Sequence, residues 1–307
     1  MEVVQGLAAL TNEADSAVTI GFFDGVHLGH RAVIGRSVAQ ARERGLQPVA
    51  VTFDRHPREI LTPDDVPPLL TTLRRKAGLI EDLRIETLLV LTFDEEVSRW
   101  SPEAFVDRVL VDGLHARHVA VGDNFTFGHK ATGTVEALAE LGSERGFSLE
   151  SVPLVEKDGR TVSSTSIREA LASGDLAWPE AALGRRYLVE GTVVPGAGRG
   201  VGLGFPTANL VTPPRILLPG RGVYAGRART ADGTSWPAAI NVGINPTFGG
   251  EPLHVEAYLL DFEGDLGGTV LGVEFWARLR DEVRFDSPEA LAAQIGEDVE
   301  RTRALVT

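Results

Sequence analysis

Along the first 184 residues, apolar and mixed segments alternate in a way that predicts strands and helices in turn. Short, almost uniformly apolar runs predict strands, and segments with apolar residues at helical spacing predict helices between them. The predicted strands are Ala17–Phe23, Gln47–Phe53, Glu86–Phe93, Arg117–Gly122 and Ser148–Leu154, and the predicted helices are Gly29–Arg44, Leu73–Leu83, Ser101–Leu110 and Thr134–Arg145. This order predicts an α/β domain with a parallel sheet covered on both faces, whose ligands bind beyond the carboxyl ends of the strands.

After about residue 185 the pattern changes to short strands broken by Gly, Pro, Asn and Asp. The strand-like runs are Tyr187–Val194, Gly222–Arg229, Trp236–Val242, His254–Leu260 and Thr269–Leu279. A helix at Pro288–Leu305, with Ser287 as its N-cap, closes the chain. This spacing predicts a small β-barrel or sandwich. We therefore predict two domains, residues 1–184 and 185–307, with a boundary near Gly184.

Charge and hydropathy limit the partners that we expect. The 307 residues carry a formal net charge of −13, which argues against general binding to nucleic acid or to anionic membranes. We see no signal segment and no apolar run of about 18 residues, the length of a membrane helix. We expect a cytoplasmic protein with small-molecule partners, and the sequence leaves the oligomeric state open.

The scarcity of two residue types restricts the chemistry. Cysteine is absent, which excludes disulfides, thiolate metal sites and cysteine nucleophiles. Lysine occurs only at Lys76, Lys130 and Lys157, and no G-x-x-x-x-G-K-[ST] phosphate loop is present. A phosphate site in this chain must therefore use arginine, histidine, a metal ion or main-chain N–H groups.

The sharpest motif runs from Gly21 to His30, where the first strong strand ends and a helix begins. Its glycines let the main chain approach a ligand, and the helix start attracts phosphate. His27 and His30 flank Gly29 and can donate hydrogen bonds to phosphate oxygens. Two incidental surface histidines, or a zinc pair lacking a third nearby ligand, are the alternatives.

Three further segments of the first domain support a nucleotide site. Asn124 follows a predicted strand, and Phe125 and Phe127 either stack on a planar ring or belong to the core. Four hydroxyls at 163–166 open a helix and precede Arg168, a pattern that favours phosphate. The segment 52–57 ends a strand and is a weaker candidate for the same cleft.

In the second domain, a loop rich in glycine at 196–204 precedes the sequence F-P-T-A-N-L. Thr207 and Asn209 are two residues apart, so an extended chain points both the same way, and their oxygens suit Mg²⁺. Glu256 alternates with apolar neighbours on a strand, where it is either a general base or an exposed glutamate. Taken alone, each pattern is more often structural than functional.

Three segments of the first domain, in this order, resemble the adenylyltransferase half of bacterial bifunctional riboflavin kinase/FAD synthetases. They are the motif from Gly21 to His30, the segment that contains Asn124, Phe125 and Phe127, and the hydroxyl run at 163–166 with Arg168. The resemblance implies a Rossmann-like nucleotidylyltransferase fold and transfer of AMP from ATP to FMN, which releases pyrophosphate and forms FAD. It implies that His27, His30 and Asn124 act on the reacting phosphates. It places Gly21, Phe22, Asp24, Gly29, Gly122, Ser163, Ser164, Thr165 and Arg168 at ATP and its phosphates, and Phe53, Asp54 and Phe125 toward the flavin.

The second domain resembles the riboflavin kinase module of the same family, through F-P-T-A-N-L, N-V-G-x-N-P-T-F and V-E-A-x-L-L-D-F. The resemblance implies a six-stranded barrel with a terminal helix, with Glu256 as base for phosphorylation of riboflavin. Thr207 and Asn209 would hold Mg²⁺. The remaining nucleotide-binding candidates are Gly198, Arg199, Gly200, Gly204 and Pro206, and the flavin-side candidates are Arg280 and Arg284.

Together the motifs predict an enzyme that makes FMN from riboflavin and ATP, and then FAD from FMN and a second ATP. Two alternatives are a chain with only one active domain and a flavin-binding regulator that has lost catalysis. The presence of His27, His30 and Glu256 counts against both.

Overall fold

The computed structural model describes residues 1–11, 13–196, 199–244 and 253–306, with only the main chain described at residues 199 and 201. The chain forms two compact units. The first comprises Met1–Pro67 and Thr71–Ser164, and the second comprises Pro68–Leu70 and Thr165–Thr307. The predicted domain boundary near Gly184 stays a prediction.

The first unit alternates strands and helices, as the hydrophobic pattern predicts. Its strands are β1 (Glu2–Gln5), β2 (Ser16–Ile20), β3 (Gln47–Phe53), β4 (Thr87–Leu91), β5 (Ala116–Gly122), β6 (Ser148–Val152), β7 (Glu156–Lys157) and β8 (Arg160–Thr161). Its helices are α1 (Leu28–Arg44), α2 (Arg58–Leu61), α3 (Leu73–Glu81), α4 (Glu95–Ser98), α5 (Pro102–Phe105) and α6 (Val135–Arg145), and α5 continues as a π-helix, Val106–Gly113. Short 3₁₀ turns lie at Leu7–Ala9, Pro63–Asp65 and His129–Ala131.

Six of these strands form one parallel sheet in the order β1-β4-β3-β2-β5-β6. The chain order reverses at β2, which pairs with β3 on one side and β5 on the other. In a doubly wound sheet, ligands bind at this switch point, beyond the carboxyl ends of the strands. The segments after Ile20 and Gly122 therefore start at the same edge of the sheet, next to each other.

Apolar side chains cover both faces of this sheet. One face packs Val18, Val51 and Val121 against Phe105 and Leu138. The opposite face packs Ala50, Leu88 and Val90 against Ile34 of α1 and Ile80 of α3. The prediction of a covered parallel sheet is confirmed.

Three strands of the first unit end earlier than the hydrophobic pattern predicts, and one of them, predicted as Ser148–Leu154, stops at Val152. The predicted strand Ala17–Phe23 stops at Ile20, because Phe23 turns into the left-handed region with φ of 50°. The predicted strand Glu86–Phe93 stops at Leu91, and the main-chain N–H of Phe93 donates to the carboxylate of Asp54 instead of extending the sheet. At the end of β4, a side-chain hydrogen bond therefore overrides apolar character.

The second unit is a closed antiparallel barrel with helices attached. Its helices are α7 (Ser164–Ser173, beginning at the last residue of the first unit), α8 (Ala177–Leu183), α9 (Arg199–Gly202) and α10 (Pro288–Val306). Its strands are β9 (Tyr187–Val194), β10 (Ala208–Val211), β11 (Gly222–Arg229), β12 (Ser235–Gly243), β13 (His254–Leu259) and β14 (Val270–Arg280). The strand order around the barrel is β10-β13-β12-β11-β14-β9. The predicted six-stranded barrel with a terminal helix is confirmed.

The loop predicted at 196–204 contains one turn of helix, α9, so it is not wholly irregular. At the other end of the chain, Val306 of α10 is fully buried against Val223, Ala225 and Leu279 of the barrel. The terminal helix is therefore part of the barrel's packing. In the described ranges we find no helix long and apolar enough to span a bilayer.

Candidate active sites

The turn between β2 and α1 lies at the switch point of the sheet and contains three residues with left-handed backbone. Phe23, Gly25 and Val26 have φ values of 50°, 82° and 40°. Glycine adopts this region without strain, but phenylalanine and the β-branched valine do not. Both side chains are buried, so the packing around the turn must offset the strain.

Side chains that are distant in sequence hold this turn. The buried Asp24 carboxylate accepts hydrogen bonds from the main-chain N–H and the hydroxyl of Thr71, at 3.0 and 3.2 Å. The same hydroxyl accepts the N–H of Gly25 at 3.1 Å, and Ser164 Oγ donates to the Asp24 carbonyl at 2.9 Å. Asp24 therefore holds the turn in place through Thr71, and its predicted contact with ATP stays a prediction.

His27 and His30 lie at the start of α1 with their rings stacked, 3.6 Å between centroids. His27 is the N-cap, and its Nδ1 accepts the main-chain N–H of His30 at 3.3 Å. An imidazole nitrogen that accepts a hydrogen bond carries no proton, so neutral His27 holds its proton on Nε2. That atom is then a hydrogen-bond donor at a helix start, which is where an anion is most strongly attracted.

Two glycines of the motifs make room for functional side chains. A Cβ at Gly29 would lie 3.1 Å from Cε1 of His27, so a larger residue would push the ring out of place. A Cβ at Gly122 would lie 3.3 Å from Oδ1 of Asn124. The Gly21 position is similar, because a Cβ there would lie 2.7 Å from the Phe23 ring.

The segment after β5 begins beside the β2–α1 turn, and its Asn124 side chain is exposed. Phe127 is 7% exposed and belongs to the core, which decides between the two interpretations of that ring. Phe125 is half-buried and stacks against Phe127, with centroids 5.5 Å apart. Phe125 therefore has one face on the core, and contact with a flavin stays a prediction.

The end of β3 contributes the remaining candidates of this unit. Phe53 meets Phe93 edge to face at 5.4 Å, and the Asp54 carboxylate accepts the N–H of Phe93 at 3.0 Å. Arg55 pairs with Asp54 at 3.1 Å, and the ring of Phe22 contacts His56 at 4.8 Å. These residues form a cluster of aromatic and charged side chains at the end of β3.

The predicted phosphate-binding hydroxyls lie around the start of α7. Ser163 and Ser164 are half-buried in the first unit, and Ser164 is bonded to the β2–α1 turn as described above. Thr165 and Arg168 belong to the second unit, in which Arg168 Nε donates to the carbonyl of Pro68 at 2.6 Å. Thr165 is exposed on the first turn of the helix.

Sequence reasoning missed Lys76, which is 2% exposed on α3. Its Nζ donates to the carbonyl of Phe22 at 2.7 Å and to Thr52 Oγ1 at 3.2 Å. Burial lowers the pKa of Lys76 to about 8, although Asp24 and Asp54 act in the opposite direction. The signal in the sequence is its spacing, since Lys76 shares a helical face with Leu73, Ala77 and Ile80.

In the barrel, Glu256 on β13 lies in register with Asn209 on β10 and with Asn241 on β12. Val255, Ala257 and Leu259 alternate with it and are buried, so Glu256 is on the other face of the strand. Three polar side chains thus cross neighbouring strands in one row. Asn241 was not among the predicted residues, although a lone amide between Ile240 and Val242 marks it.

Two neighbours shape the surroundings of Glu256. His254 is on the same face two residues earlier, and its Nε2 lies 3.3 Å from Oε1 of Glu256. Tyr258, two residues later, meets Phe205 edge to face at 5.4 Å. The Glu256 side chain is about one-third exposed, so it is accessible to a substrate.

Asn209 belongs to this row, and Thr207 precedes it by two residues in the chain. Asn209 Nδ2 donates to the Thr207 carbonyl at 3.4 Å, which leaves the amide oxygen available as a ligand. A Cβ at Gly196 would overlap the Asn209 amide, and a Cβ at Gly200 would overlap the Phe205 carbonyl. Gly204 takes φ of 84°, and Pro206 is exposed. Gly198 and the Arg199 side chain lie outside the described residues.

The two arginines near the end of β14 differ. The Arg280 guanidinium forms three hydrogen bonds of 2.7 to 3.1 Å with the buried carboxylate of Asp298, on α10. Arg284 is exposed in the segment that leads to α10. Arg280 therefore anchors the terminal helix, and the flavin-side role predicted for both residues stays a prediction.

The barrel row offers hard oxygen donors, two amides and a carboxylate from Asn209, Asn241 and Glu256, and Thr207 adds a hydroxyl two residues before Asn209. This donor set fits Mg²⁺, which prefers oxygen, keeps several waters and takes phosphate oxygens as further ligands. Among the described residues, no group of three or more His, Asp or Glu side chains is placed to hold a metal. A Mg²⁺ site formed by only a few protein side chains together with phosphate oxygens of the substrate would agree with this donor set and with the lack of such a group in the part of the chain that the structure describes.

The first unit is a Rossmann-like sheet with a histidine pair at its switch point. The second unit is a β-barrel with a carboxylate and two amides in a row. These features define a two-domain class of phosphate-transferring enzyme. Comparison with known families agrees. The family described as FAD synthetase matches residues 10–166, and the family described as riboflavin kinase matches residues 183–306. The chain belongs to the bifunctional riboflavin kinase/FMN adenylyltransferase family.

Individual relatives extend over the whole chain. The bifunctional riboflavin kinase/FMN adenylyltransferase of Pseudomonas fluorescens is 42% identical and covers 99% of this chain and 98% of its own length. The Escherichia coli K12 protein of the same name is 35% identical, with 97% and 96% covered. A crystal structure described as a macrolide-efflux protein from Streptococcus pneumoniae has a TM-score of 0.90 and 29% identity, with 99% of both chains covered.

Proposed function

We propose that this chain carries out two successive reactions, each in its own domain. Residues 185–307 phosphorylate riboflavin with ATP to give FMN, and residues 1–184 transfer AMP from a second ATP to FMN to give FAD. The observation that carries this proposal is that the chain matches the family over both domains, in which His27, His30 and Glu256 are present. ATP as the co-substrate favours a cytoplasmic location.

For adenylyl transfer, an oxygen of the FMN phosphate attacks the α-phosphorus of ATP, and the bond to the β-phosphate breaks to release pyrophosphate. The substrate supplies the nucleophile, so no cysteine or lysine nucleophile is needed. His27, with its proton on Nε2, and its stacked neighbour His30 donate to the phosphates and stabilise charge on the leaving pyrophosphate. Asn124 offers its amide from the adjacent strand end.

For the kinase reaction, Glu256 removes the proton of the ribityl 5′-hydroxyl while that oxygen attacks the γ-phosphorus of ATP and ADP leaves. Thr207 and Asn209 are the residues that we assign to Mg²⁺, with the ATP phosphates completing its ligands. Bound there, Mg²⁺ would neutralise phosphate charge. His254, 3.3 Å from Glu256, orients the carboxylate.

A turnover assay tests the proposal. The purified chain receives riboflavin, ATP and Mg²⁺, and the flavins are separated by chromatography. We expect FMN first and FAD afterwards. A chain with one active domain would accumulate FMN only, or convert only supplied FMN, and a flavin-binding regulator would give neither product.

Paired variants test the division between the domains. We expect the double variant His27→Ala/His30→Ala to make FMN but little FAD. We expect Glu256→Ala to fail on riboflavin and still convert supplied FMN. If either variant lost both activities while remaining folded, the assignment of one reaction to each domain would be wrong.

A further inference from the structure

Lys76 is buried beneath the turn that carries the histidine pair, yet it has no place in either reaction described above. It projects from α3, and its Nζ lies 2.7 Å from the Phe22 carbonyl and 4.1 Å from the centre of the Phe22 ring. Thr52 Oγ1 also donates to that carbonyl, at 3.1 Å. The Phe22 carbonyl is thus fixed by two donors immediately before the left-handed residues begin.

Packing alone does not account for a lysine at this position. A charged group that is 2% exposed loses most of its hydration, and lysine is almost never buried so deeply. Unfolded lysine binds its proton up to a pH of roughly 10.4, whereas burial lowers the pKa of Lys76 to about 8. The buried charge therefore opposes folding below pH 8, and this penalty disappears as pH rises toward 10.

The charges around Lys76 come from the elements that build the site. Asp24 lies in the β2–α1 turn and Asp54 follows β3, and both favour the charged amine. His56 meets the same Phe22 ring edge to face, with centroids 4.8 Å apart. The ammonium group of Lys76 therefore acts on the start of the turn, and His27 and His30 lie at the end of the same turn.

We propose that Lys76 is a positioning residue for adenylyl transfer, whose ammonium group locks the Phe22 carbonyl and thereby the strained turn that presents His27 and His30. This inference rests on the proposed function of the first domain. Lys76 does not touch the reacting phosphates in this scheme. It acts through the main chain of the turn, and a small displacement of the histidines is enough to slow the reaction.

The first test compares two lysine variants of the full-length chain. Lys76→Met keeps an unbranched side chain that is one atom shorter and removes its charge, and Lys157→Met makes the same change at an exposed position on β7. We expect Lys76→Met to lower kcat for FAD formation about ten- to a hundredfold. Lys157→Met should match the wild type, and both variants should phosphorylate riboflavin normally.

A stability measurement separates positioning from a merely structural role. Because Met removes the desolvation penalty of a buried ammonium and Thr52 still donates to the Phe22 carbonyl, the urea midpoint of Lys76→Met at pH 7 should not fall below that of the wild type. Slow FAD formation in a chain of undiminished stability supports the proposal. Wild-type kcat in Lys76→Met, or a loss of kcat accompanied by a loss of stability, overturns it.

The pH dependence gives a second, independent readout. Wild-type FAD formation should decline through an apparent pKa near 8, as Lys76 loses its proton, and Lys76→Met should lack this decline. Riboflavin phosphorylation by the same sample controls for effects of pH on ATP. The same alkaline decline in both proteins would contradict the proposal.

The chain has three lysines, so the titration can be observed directly. Labelling with [¹³Cε]lysine gives three methylene signals, and the one missing from Lys76→Met identifies Lys76. We expect this signal to titrate near pH 8 and to shift when FMN and pyrophosphate are added. A titration near pH 10 would mean that Lys76 stays charged throughout the assay range, and a decline near pH 8 that Lys76→Met abolishes would then contradict the proposal. If the wild type makes no FAD at all, the proposed function fails instead, which is a distinguishable result.

Discussion

The two candidate sites are built in opposite ways. In the first unit, the functional side chains follow a turn with three left-handed residues, held by Thr52, Thr71, Lys76 and Ser164 from distant parts of the sequence. In the second unit, Asn209, Glu256 and Asn241 lie in plain antiparallel register on three regular strands. The histidine site should therefore respond to changes in its supports, and the barrel site mainly to loss of its own side chains.

The largest effect that we expect comes from a substitution of Glu256, because this residue serves the reaction and the barrel folds without its carboxylate. Glu256→Gln keeps the shape of the side chain and removes the base, so riboflavin phosphorylation should fall about 10²- to 10⁴-fold. Chromatography of flavins measures this loss, with FAD formation from supplied FMN as the internal reference. Glu274→Gln, which breaks a barrel ion pair with Arg229, is the matched control and should phosphorylate normally.

The next effect concerns the stability of the barrel. Asp298→Ala leaves the Arg280 guanidinium without its buried carboxylate, so the free energy of unfolding should fall by about 3–5 kcal/mol. Urea unfolding measures this change. The double variant Arg280→Met/Asp298→Leu should recover most of the stability.

The same double variant tests the flavin-side role predicted for Arg280. If Arg280 serves mainly to anchor α10, the KM for riboflavin stays near the wild-type value in the stable double variant. A strong rise in that KM, with stability recovered, would show instead that Arg280 contacts the flavin.

The third prediction separates the two tasks of His27. His27→Asn retains a good N-cap and loses the imidazole, so FAD formation should fall about 10²- to 10³-fold with unchanged stability. His27→Ala should show the same kinetic loss and, in addition, a lower free energy of unfolding, by about 1 kcal/mol. Equal stability of the two variants would mean that the cap contributes little.

Much of the fold could be predicted because burial leaves a direct pattern in the sequence. The largely apolar strands β2 and β4 are buried along their whole length, and their apolar runs predict them. Strand β1 escaped prediction because only Val4 of its four residues is buried. The β7–β8 hairpin has two exposed residues on each strand and carries no hydrophobic pattern at all.

The sites were predictable only in part, for a different physical reason. His27 and His30 are recognisable because their spacing and their place before a helix are local features. The supports from Thr71 and Lys76 depend on contacts about 50 residues apart in the chain, which no local pattern specifies. Asn241 becomes meaningful only once the register of β12 and β13 sets it opposite Glu256.

The smallest effect that we predict compares two glycines of the same helix, and it tests whether the histidine site is as sensitive as its construction implies. Gly35→Ala adds a methyl group where nothing lies within 4 Å, so it should stabilise the chain by about 0.5–1 kcal/mol and leave FAD formation unchanged. Gly29→Ala should gain similar helix propensity, but its Cβ lies 3.1 Å from the His27 ring, which must move by a few tenths of an ångström. Because a displacement of 1 Å can reduce a rate about a hundredfold, we expect FAD formation to fall about tenfold. Equal rates in the two variants would show that the reaction tolerates movement of the His27 ring. The histidine site would then be no more sensitive to its supports than the barrel site.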